Sequence, residues 1–271
     1  MPEGGTIITL TTDFGTRDCY VAAMKGVILG VNPAARVVDL THEIEPQNVL
    51  ECALFLKGSA PYFPPGTIHV VVVDPGVGTE RCALCVETGD QYYIAPDNGV
   101  LSLVVKPEEV LKAAVIENER YLGPTISATF HGRDVFAPAA AHLSLGVEMG
   151  KLGRALHDIV RVEFAVPKVG ADGTVEAQVV HVDRFGNLVT NVGKAAWHDL
   201  TYSAEEVNVR IDVGGVVLDS ISRTYNDVPV GAPLALWGSS DFLEISMNQG
   251  NAAEKLGATV GDQITIRIGT Q

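Results

Sequence analysis

Two acidic residues stand where strand-like segments in the first half of the chain end. Asp13 follows the β-branched run at 6–12, and Asp74 follows the apolar run at 68–73. A glycine comes within two residues of each aspartate, so the backbone can turn and approach a ligand closely. Ligands of open parallel sheets bind beyond the carboxyl ends of the strands. A helix cap or a tight turn would explain either aspartate alone, but their joint placement favours a ligand site.

The loop after Asp74 and a later histidine add a positive charge and a titratable ring. Residues 76–81 (GVGTER) predict a flexible hairpin that brings Arg81 back toward Asp74. This loop has neither G-x-x-x-x-G-K-[ST] nor a G-x-G-x-x-G that opens a helix, which excludes a nucleoside triphosphate site. His131 precedes an alanine-rich helix, where it could face a cleft or lie at the surface, and Asp134 could cap that helix.

In the second half, polar groups cluster around the string DRFGN. Asp183 and Asn187 flank an aromatic-glycine turn, which could be a plain hairpin. A carboxamide can also donate and accept together, as the N6/N7 edge of adenine requires. Tyr225 could stack on a ring or belong to the core. Further hydroxyl and carboxylate groups near a turn are candidate ligand contacts or ordinary turn residues: Ser239, Ser240 and Glu244.

The elements that must position these residues differ between the two halves. In residues 1–165, strand-like and helix-like runs alternate, which predicts an α/β domain with a mostly parallel sheet. Helical spacing covers 18–31 and 135–145, and Pro46 is expected to open a further helix. The strand-like runs lie at 6–12, 37–41, 68–73, 83–86, 92–95 and 113–116.

The character of the sequence changes near Val166-Pro167. From there to the end, turn residues separate short strand-like runs at 176–182, 207–213, 234–237, 242–247 and 263–268. Regularly spaced short strands indicate a small sandwich or barrel, so residues 170–271 are predicted to form a smaller, all-β, barrel-like domain.

Composition narrows the classes of partner. The 271 residues carry a formal net charge of -14, which argues against nucleic acid or an anionic membrane as a partner. An acidic surface suits a cationic small ligand but also serves solubility. The chain has no apolar run of membrane-spanning length and no signal-peptide pattern at its start, so a cytoplasmic location is expected. Cys82 and Cys85 are three apart on a strand and face opposite ways, so neither a zinc nor a redox site is expected.

Five strings occur together in the chain, each weak alone. They are TDFG at 12–15, VDPGVGTxR at 73–81, APDNG at 95–99, TFHGRD at 129–134 and DxFGNxxTN at 183–191. In this order they resemble the S-adenosylmethionine hydroxide adenosyltransferase family, relatives of the fluorinase and chlorinase. The resemblance implies an α/β domain, a β-barrel-like domain and a homotrimer. It also implies active sites between the first domain of one subunit and the second domain of its neighbour.

The resemblance assigns a reaction through three residues. The hydrolases of the family have an Asp-Arg-His trio, matched here by Asp74, Arg81 and His131. Halogenating relatives lack the trio and use a serine at the position of Gly132. The expected reaction is therefore hydrolysis of S-adenosylmethionine, a small-molecule substrate, to adenosine and methionine, without a metal or other cofactor.

The resemblance also assigns substrate contacts. Asp13 matches the residue that holds the two ribose hydroxyls, Asn187 matches the adenine-edge contact, and Tyr225 matches an aromatic that packs on adenine. Contacts to the methionine end are matched by Asp18, Asp183 and Ser239, and Ser240 stands where the halogenating relatives have an arginine. Gln47 replaces a tryptophan of those relatives, so packing on the ribose is expected to differ.

Three alternatives remain open. A halide-using enzyme would act on the same substrate, and a non-catalytic sensor would bind S-adenosylmethionine or adenosine without turnover. A methyltransferase is disfavoured, because no G-x-G-x-x-G loop follows the first strand.

Overall fold

The chain folds into two compact units, each built on one sheet. The structure is a computed structural model that describes residues 5–106, 112–201 and 207–270. The units are Met1–Val162 and Glu163–Gln271.

The first unit contains a seven-stranded sheet with the order β2-β1-β3-β5-β4-β6-β7. Its strands are β1 (Ile7–Thr12), β2 (Arg36–Thr41), β3 (Ile68–Val72), β4 (Ala83–Thr88), β5 (Gln91–Pro96), β6 (Lys112–Val115) and β7 (Ala155–Leu156). Its α-helices are α1 (Tyr20–Val31), α2 (Val49–Ser59) and α3 (Ala137–Ser144).

This sheet is mixed, so the prediction of a mostly parallel sheet was wrong. The pairs β1–β2, β1–β3 and β3–β5 are parallel. The pairs β4–β5, β4–β6 and β6–β7 are antiparallel. For β4 and β5 the reason lies at Gly89-Asp90, where Gly89 has φ +57° and a two-residue turn joins the two strands. A connection this short can join only antiparallel strands, because parallel neighbours need a crossover.

Helices cover both faces of the central strands, which explains why β3 is apolar at every position except His69. Val70 and Val72 pack with α1 and α3 in one cluster, whereas Val71 and Val73 pack with α2 in another. Alternate side chains of a strand point to opposite faces, so a doubly covered strand is expected to be apolar on both faces. Cys85 belongs to the first cluster and Cys82 packs against the second, and both are free thiols.

Local capping sets where the helices begin. The side chain of Asn48 accepts a hydrogen bond from Glu51 N at 3.1 Å, so α2 begins at Val49 rather than near Pro46. A π-helical turn, Gly132–Phe136, leads directly into α3. Asp134 lies inside this turn and does not cap the helix. Turns of this kind often occur at functional sites.

The second unit is a nine-stranded sheet that closes almost into a barrel. The strands follow the order β12-β11-β16-β9-β10-β15-β14-β13, and β8 pairs with β9. The strands are β8 (Lys168–Val169), β9 (Thr174–Val182), β10 (Leu188–Gly193), β11 (Val207–Val213), β12 (Val216–Leu218), β13 (Ile221–Ser222), β14 (Pro233–Trp237), β15 (Phe242–Met247) and β16 (Gln263–Thr270). Two short helices accompany them, α4 (Lys194–Thr201) and α5 (Ala252–Leu256).

Strand β9 makes the curvature possible, because it belongs to two strand pairings in succession. Its first half pairs with β16 and its second half pairs with β10. The first strand of this path, β12, contacts β14, which is the second strand from the other end. Apolar side chains from β9, β11, β15 and β16 fill the interior. Within the described parts of both units, no helix is long and apolar enough to cross a membrane.

Candidate active site

The carboxyl ends of β1 and β3 form one wall of an open cleft in the first unit. The two strands are parallel neighbours, with Thr12 beside Val72. Asp13 and Asp74 follow these ends, and both line the cleft, which has a volume of about 390 Å³. His131 lines the cleft from the start of the π-helical turn.

Asp74, Arg81 and His131 are joined by direct contacts. Arg81 Nε donates to both carboxylate oxygens of Asp74 at 3.0 and 3.1 Å, and Nη2 donates to Oδ2 at 2.5 Å. The same Nη2 lies 2.7 Å from His131 Nδ1. The Asp74 and Arg81 side chains are only 5% and 9% exposed, so this is a buried ion pair. The guanidinium also lies 5.3 Å from the centre of the Phe136 ring.

The contact with Arg81 sets the protonation of His131. A guanidinium only donates hydrogen bonds, so Nδ1 of His131 must accept, and the neutral ring then carries its hydrogen on Nε2. Burial and the charge of Arg81 lower the pKa of His131, against the opposing effects of Asp74 and Asp134. His131 is therefore neutral around neutral pH.

A close backbone approach holds the loop that carries Arg81. Gly78 has φ +78°, and a Cβ there would lie 2.3 Å from the carbonyl oxygen of Ala128. Only glycine allows this loop to lie against the segment that leads to His131. Asn98, from the APDNG string, donates through Nδ2 to the carbonyl oxygen of Val73 at 2.8 Å. It thereby anchors the residue before Asp74.

Asp13 faces the cleft from a strained corner. Its Oδ2 accepts a hydrogen bond from Gln47 N at 2.8 Å, and Gln47 has φ +68°, a left-handed conformation that is costly for a residue with a side chain. Asp18 lies in the exposed turn before α1 and does not line the cleft.

Three aromatic side chains that the sequence analysis did not single out also line the cleft. Phe14, Tyr20 and Phe130 contact one another with ring centres 5.1 to 5.9 Å apart. Their sequence signal is weak, because they lie in three separate strings and each reads as an ordinary core aromatic.

The second unit has its own pocket, lined by Phe185, Asn187, Tyr225, Met247, Gln249 and Gly250. Phe185 and Tyr225 are 74% and 39% exposed and provide aromatic surface beside a carboxamide. Phe185 was missed as a candidate, although a large aromatic residue in a tight turn is itself a signal. Turns favour small and polar residues, and exposed aromatic rings often mark contacts.

Asp183 organises the turn beneath this pocket. Its Oδ1 accepts from Phe185 N at 2.8 Å and from Asn187 N at 2.9 Å. Its Oδ2 accepts from Asn187 Nδ2 at 2.8 Å. In this structure Asp183 therefore orients Asn187, and it does not line the pocket itself.

The remaining candidates lie around the turn between β14 and β15. Glu244 is half-buried, and burial together with the charge of Asp183 raises its pKa to about 7. Its carboxylate lies against Gly238, where a Cβ would lie 1.7 Å from Oε1. Ser239 is exposed and Ser240 is half-buried, and neither lines the pocket of the second unit. Within residues 5–106, 112–201 and 207–270, no group of three or more His, Cys, Asp or Glu side chains is placed to hold a metal ion.

Comparisons with known proteins match almost the whole chain. Residues 8–153 match the family model of the SAM hydroxide adenosyltransferase N-terminal domain, and residues 177–265 match that of the C-terminal domain. The chain is 38% identical to a protein named (R)-S-adenosyl-L-methionine hydrolase from Salinispora tropica, over 97% of this chain and 98% of that protein. A protein of the same name from Methanocaldococcus jannaschii is 36% identical over 96% of this chain and 95% of that protein. A fluorinase from Nocardia brasiliensis is 28% identical over 97% of each chain.

A solved structure matches the fold of this chain over almost its whole length. The crystal structure of an uncharacterized conserved protein from Thermotoga maritima has a TM-score of 0.86 and 39% identity, covering 97% of this chain and 100% of that one. The resemblance inferred from the five strings is confirmed, and the chain belongs to the SAM hydroxide adenosyltransferase family.

Proposed function

We propose that this protein hydrolyses S-adenosyl-L-methionine to adenosine and L-methionine, by attack of water or hydroxide at C5′ of the ribose. The observation that carries the proposal is that one nitrogen of the Arg81 guanidinium, Nη2, contacts both Asp74 and His131 beside the cleft. The names of the hydrolase relatives support the same reaction.

The substrate makes modest demands on the enzyme. Its sulfonium is a good leaving group, so the C5′–S bond breaks with its electron pair going to sulfur, and neutral methionine leaves without protonation. A new C5′–O bond forms, and the attacking water loses one proton. The enzyme must therefore place a water in line with the C5′–S bond and help to remove its proton. No metal or redox cofactor is needed for these steps.

The trio supplies both requirements. Asp74 and His131 line the cleft and are positioned to hold the water, whereas Arg81 supports them from a nearly buried position. The positive charge of Arg81 favours hydroxide over water near it. A neutral His131 can orient the nucleophile or take part in moving its proton. Hydroxide and sulfonium neutralise each other as they react, so a site poor in water favours the transition state.

The two pockets divide the binding task. Asp13 in the first unit is proposed to accept both ribose hydroxyls. In the second unit, Phe185 and Tyr225 are proposed to pack on adenine, while the side-chain amide of Asn187 contacts the adenine edge. Asp18, Asp183, Ser239 and Ser240 stay candidates for the methionine end, with Asp183 acting also through Asn187. Glu244 stays a candidate substrate contact without an assigned part of the substrate.

We also propose a homotrimer with active sites at its subunit interfaces, and a cytoplasmic location, which four free cysteines support. Light scattering tests the assembly. Mixing inactive Asp74→Asn and Asn187→Ala subunits tests the shared site. If neighbouring subunits complete each site, every trimer that contains both variants has one intact site out of three. About three quarters of the trimers in an equal, co-refolded mixture contain both variants, so about one quarter of the wild-type activity should return. Sites formed within single chains would regain none.

The reaction is tested by incubating the purified protein with S-adenosyl-L-methionine, with and without chloride, and identifying the products by chromatography and mass spectrometry. We expect adenosine and methionine in equal amounts, independent of chloride. Asp74→Asn should abolish them, whereas Glu80→Gln, the same chemical change at an exposed position of the same loop, should not. A halogenated nucleoside would indicate a halide-using enzyme, S-adenosylhomocysteine would indicate a methyltransferase, and tight binding without product would indicate a sensor.

A further inference from the structure

His42 is a buried histidine beside the loop that carries Asp13, and the mechanism above does not use it. It follows β2 directly and is only 4% exposed. Its Nδ1 lies 2.9 Å from Thr12 Oγ1. Its backbone carbonyl oxygen accepts a hydrogen bond from Gly15 N at 2.7 Å. Both the ring and the backbone of His42 therefore hold the segment 12–15.

The opposite edge of the ring faces a carboxylate. His42 Nε2 lies 3.1 Å from Asp39 Oδ1, although the contact is not a well-directed hydrogen bond, so it acts mainly through charge. Asp39 Oδ2 accepts from Lys25 Nζ at 2.5 Å. Burial raises the pKa of Asp39, but Lys25 and His42 outweigh burial and hold that pKa below its usual value. The negative charge of Asp39 attracts a hydrogen rather than a lone pair, so its closeness to Nε2 favours the tautomer with hydrogen on that nitrogen.

With this tautomer, each polar contact of Thr12 Oγ1 joins one hydrogen-bond donor to one acceptor. With Nε2 protonated, Nδ1 accepts the hydroxyl hydrogen of Thr12. Thr12 Oγ1 in turn accepts from Phe14 N at 3.2 Å. The donors thus run in one direction, from the Phe14 amide through Thr12 to the ring of His42. A register shift in the β1–β2 pairing, between Leu10 and Thr11, precedes this contact, and such irregularities often re-aim side chains.

From these contacts we infer that His42 is a positioning residue, which fixes the backbone on both sides of Asp13 so that its carboxylate is held ready for the ribose hydroxyls. The inference rests on the proposed role of Asp13. Burying the polar nitrogens of an imidazole costs free energy. If this position only had to fill space in the core, an apolar side chain would give a more stable protein. The partners of His42 converge on the residues around Asp13.

A double-mutant cycle separates positioning from mere packing. Thr12→Val removes the hydroxyl while keeping the side-chain shape, and Thr12→Ser is the matched control that keeps the hydroxyl. We expect Thr12→Val to weaken adenosine binding about 5- to 10-fold by calorimetry, and Thr12→Ser to change it less than about twofold. In an Asp13→Ala background the effect of Thr12→Val should disappear. Equal losses in both backgrounds would overturn the inference.

A measurement without ligand keeps this inference separate from the proposed function. Nitrogen-15 NMR of the imidazoles, assigned by the signal lost in His42→Asn, should show His42 with hydrogen on Nε2 and a bare Nδ1. The amides of Phe14 and Gly15 should exchange faster in Thr12→Val than in Thr12→Ser. If the wild type does not bind adenosine, the proposed function fails while NMR still decides the contacts. Hydrogen on Nδ1, or unchanged exchange, would refute the role of His42.

Discussion

The ion pair between Asp74 and Arg81 predicts that removing one charge lowers stability, that removing both charges restores most of it, and that activity is lost in both cases. Both side chains are nearly buried, at 5% and 9% exposure, and three hydrogen bonds join them. Asp74→Asn leaves the guanidinium without its counter-charge in a site that water hardly reaches. Removing one partner of a buried pair costs about 3 kcal/mol of unfolding free energy. The double variant Asp74→Asn/Arg81→Gln removes both charges, and we expect it to lose only about 1 kcal/mol.

The double variant should regain stability but not turnover. Both variants lack the trio, so kcat should fall at least about 100-fold in each, the range in which positioned acid–base groups act. Urea unfolding at one fixed chain concentration, followed by circular dichroism, measures stability, and adenosine release measures turnover. A double variant less stable than the single one would show that the charges do not depend on each other. Substantial turnover in Asp74→Asn would refute the role of the trio.

Three further predictions concern binding and protonation. Asp13→Ala should weaken adenosine binding about tenfold or more, since a carboxylate that accepts two hydroxyl groups is lost, and calorimetry with unchanged affinity would reject this contact. Because burial and Arg81 lower the pKa of His131, the neutral ring persists at mildly acidic pH. Turnover should therefore fall only below the ordinary histidine range, and this acid limb should vanish from the residual rate of His131→Asn. Phe185→Ala should weaken adenosine binding by about 1 to 3 kcal/mol, the range for stacking of a base on an aromatic ring, and an equal affinity in titration would exclude stacking.

The sequence could indicate which residues stand at the sheet edge but not how their side chains meet. Because β1 and β3 are parallel neighbours, placing Asp13 and Asp74 after strands was enough to bring them to one edge. The contact of Arg81 with His131 depends on Gly78 lying against Ala128, an approach between segments distant in the chain. No local pattern encodes such an approach.

The fold shows the same limit. Apolar runs and β-branched residues located most strands of the first unit, because these patterns reflect burial on both faces. They did not reveal strand direction, which the turn at Gly89 sets for β4 and β5. The helix that follows His131 was located by its alanines, but no local pattern indicated the π-helical turn before it, in which Gly132 lies against Met24 and Phe130. In the second unit, Phe185 was overlooked because the ligand contacts predicted for this string were assigned to its polar residues, Asp183 and Asn187.

The origin of the new oxygen atom tests the proposed reaction most directly. Turnover of S-adenosyl-L-methionine in water enriched in oxygen-18, with mass spectrometry of both products, follows the nucleophile itself. Attack at C5′ places the label on the 5′ oxygen, so adenosine should be about two mass units heavier while methionine stays unlabelled. Adenosine without label, or label found only in another product, would contradict hydrolysis at C5′.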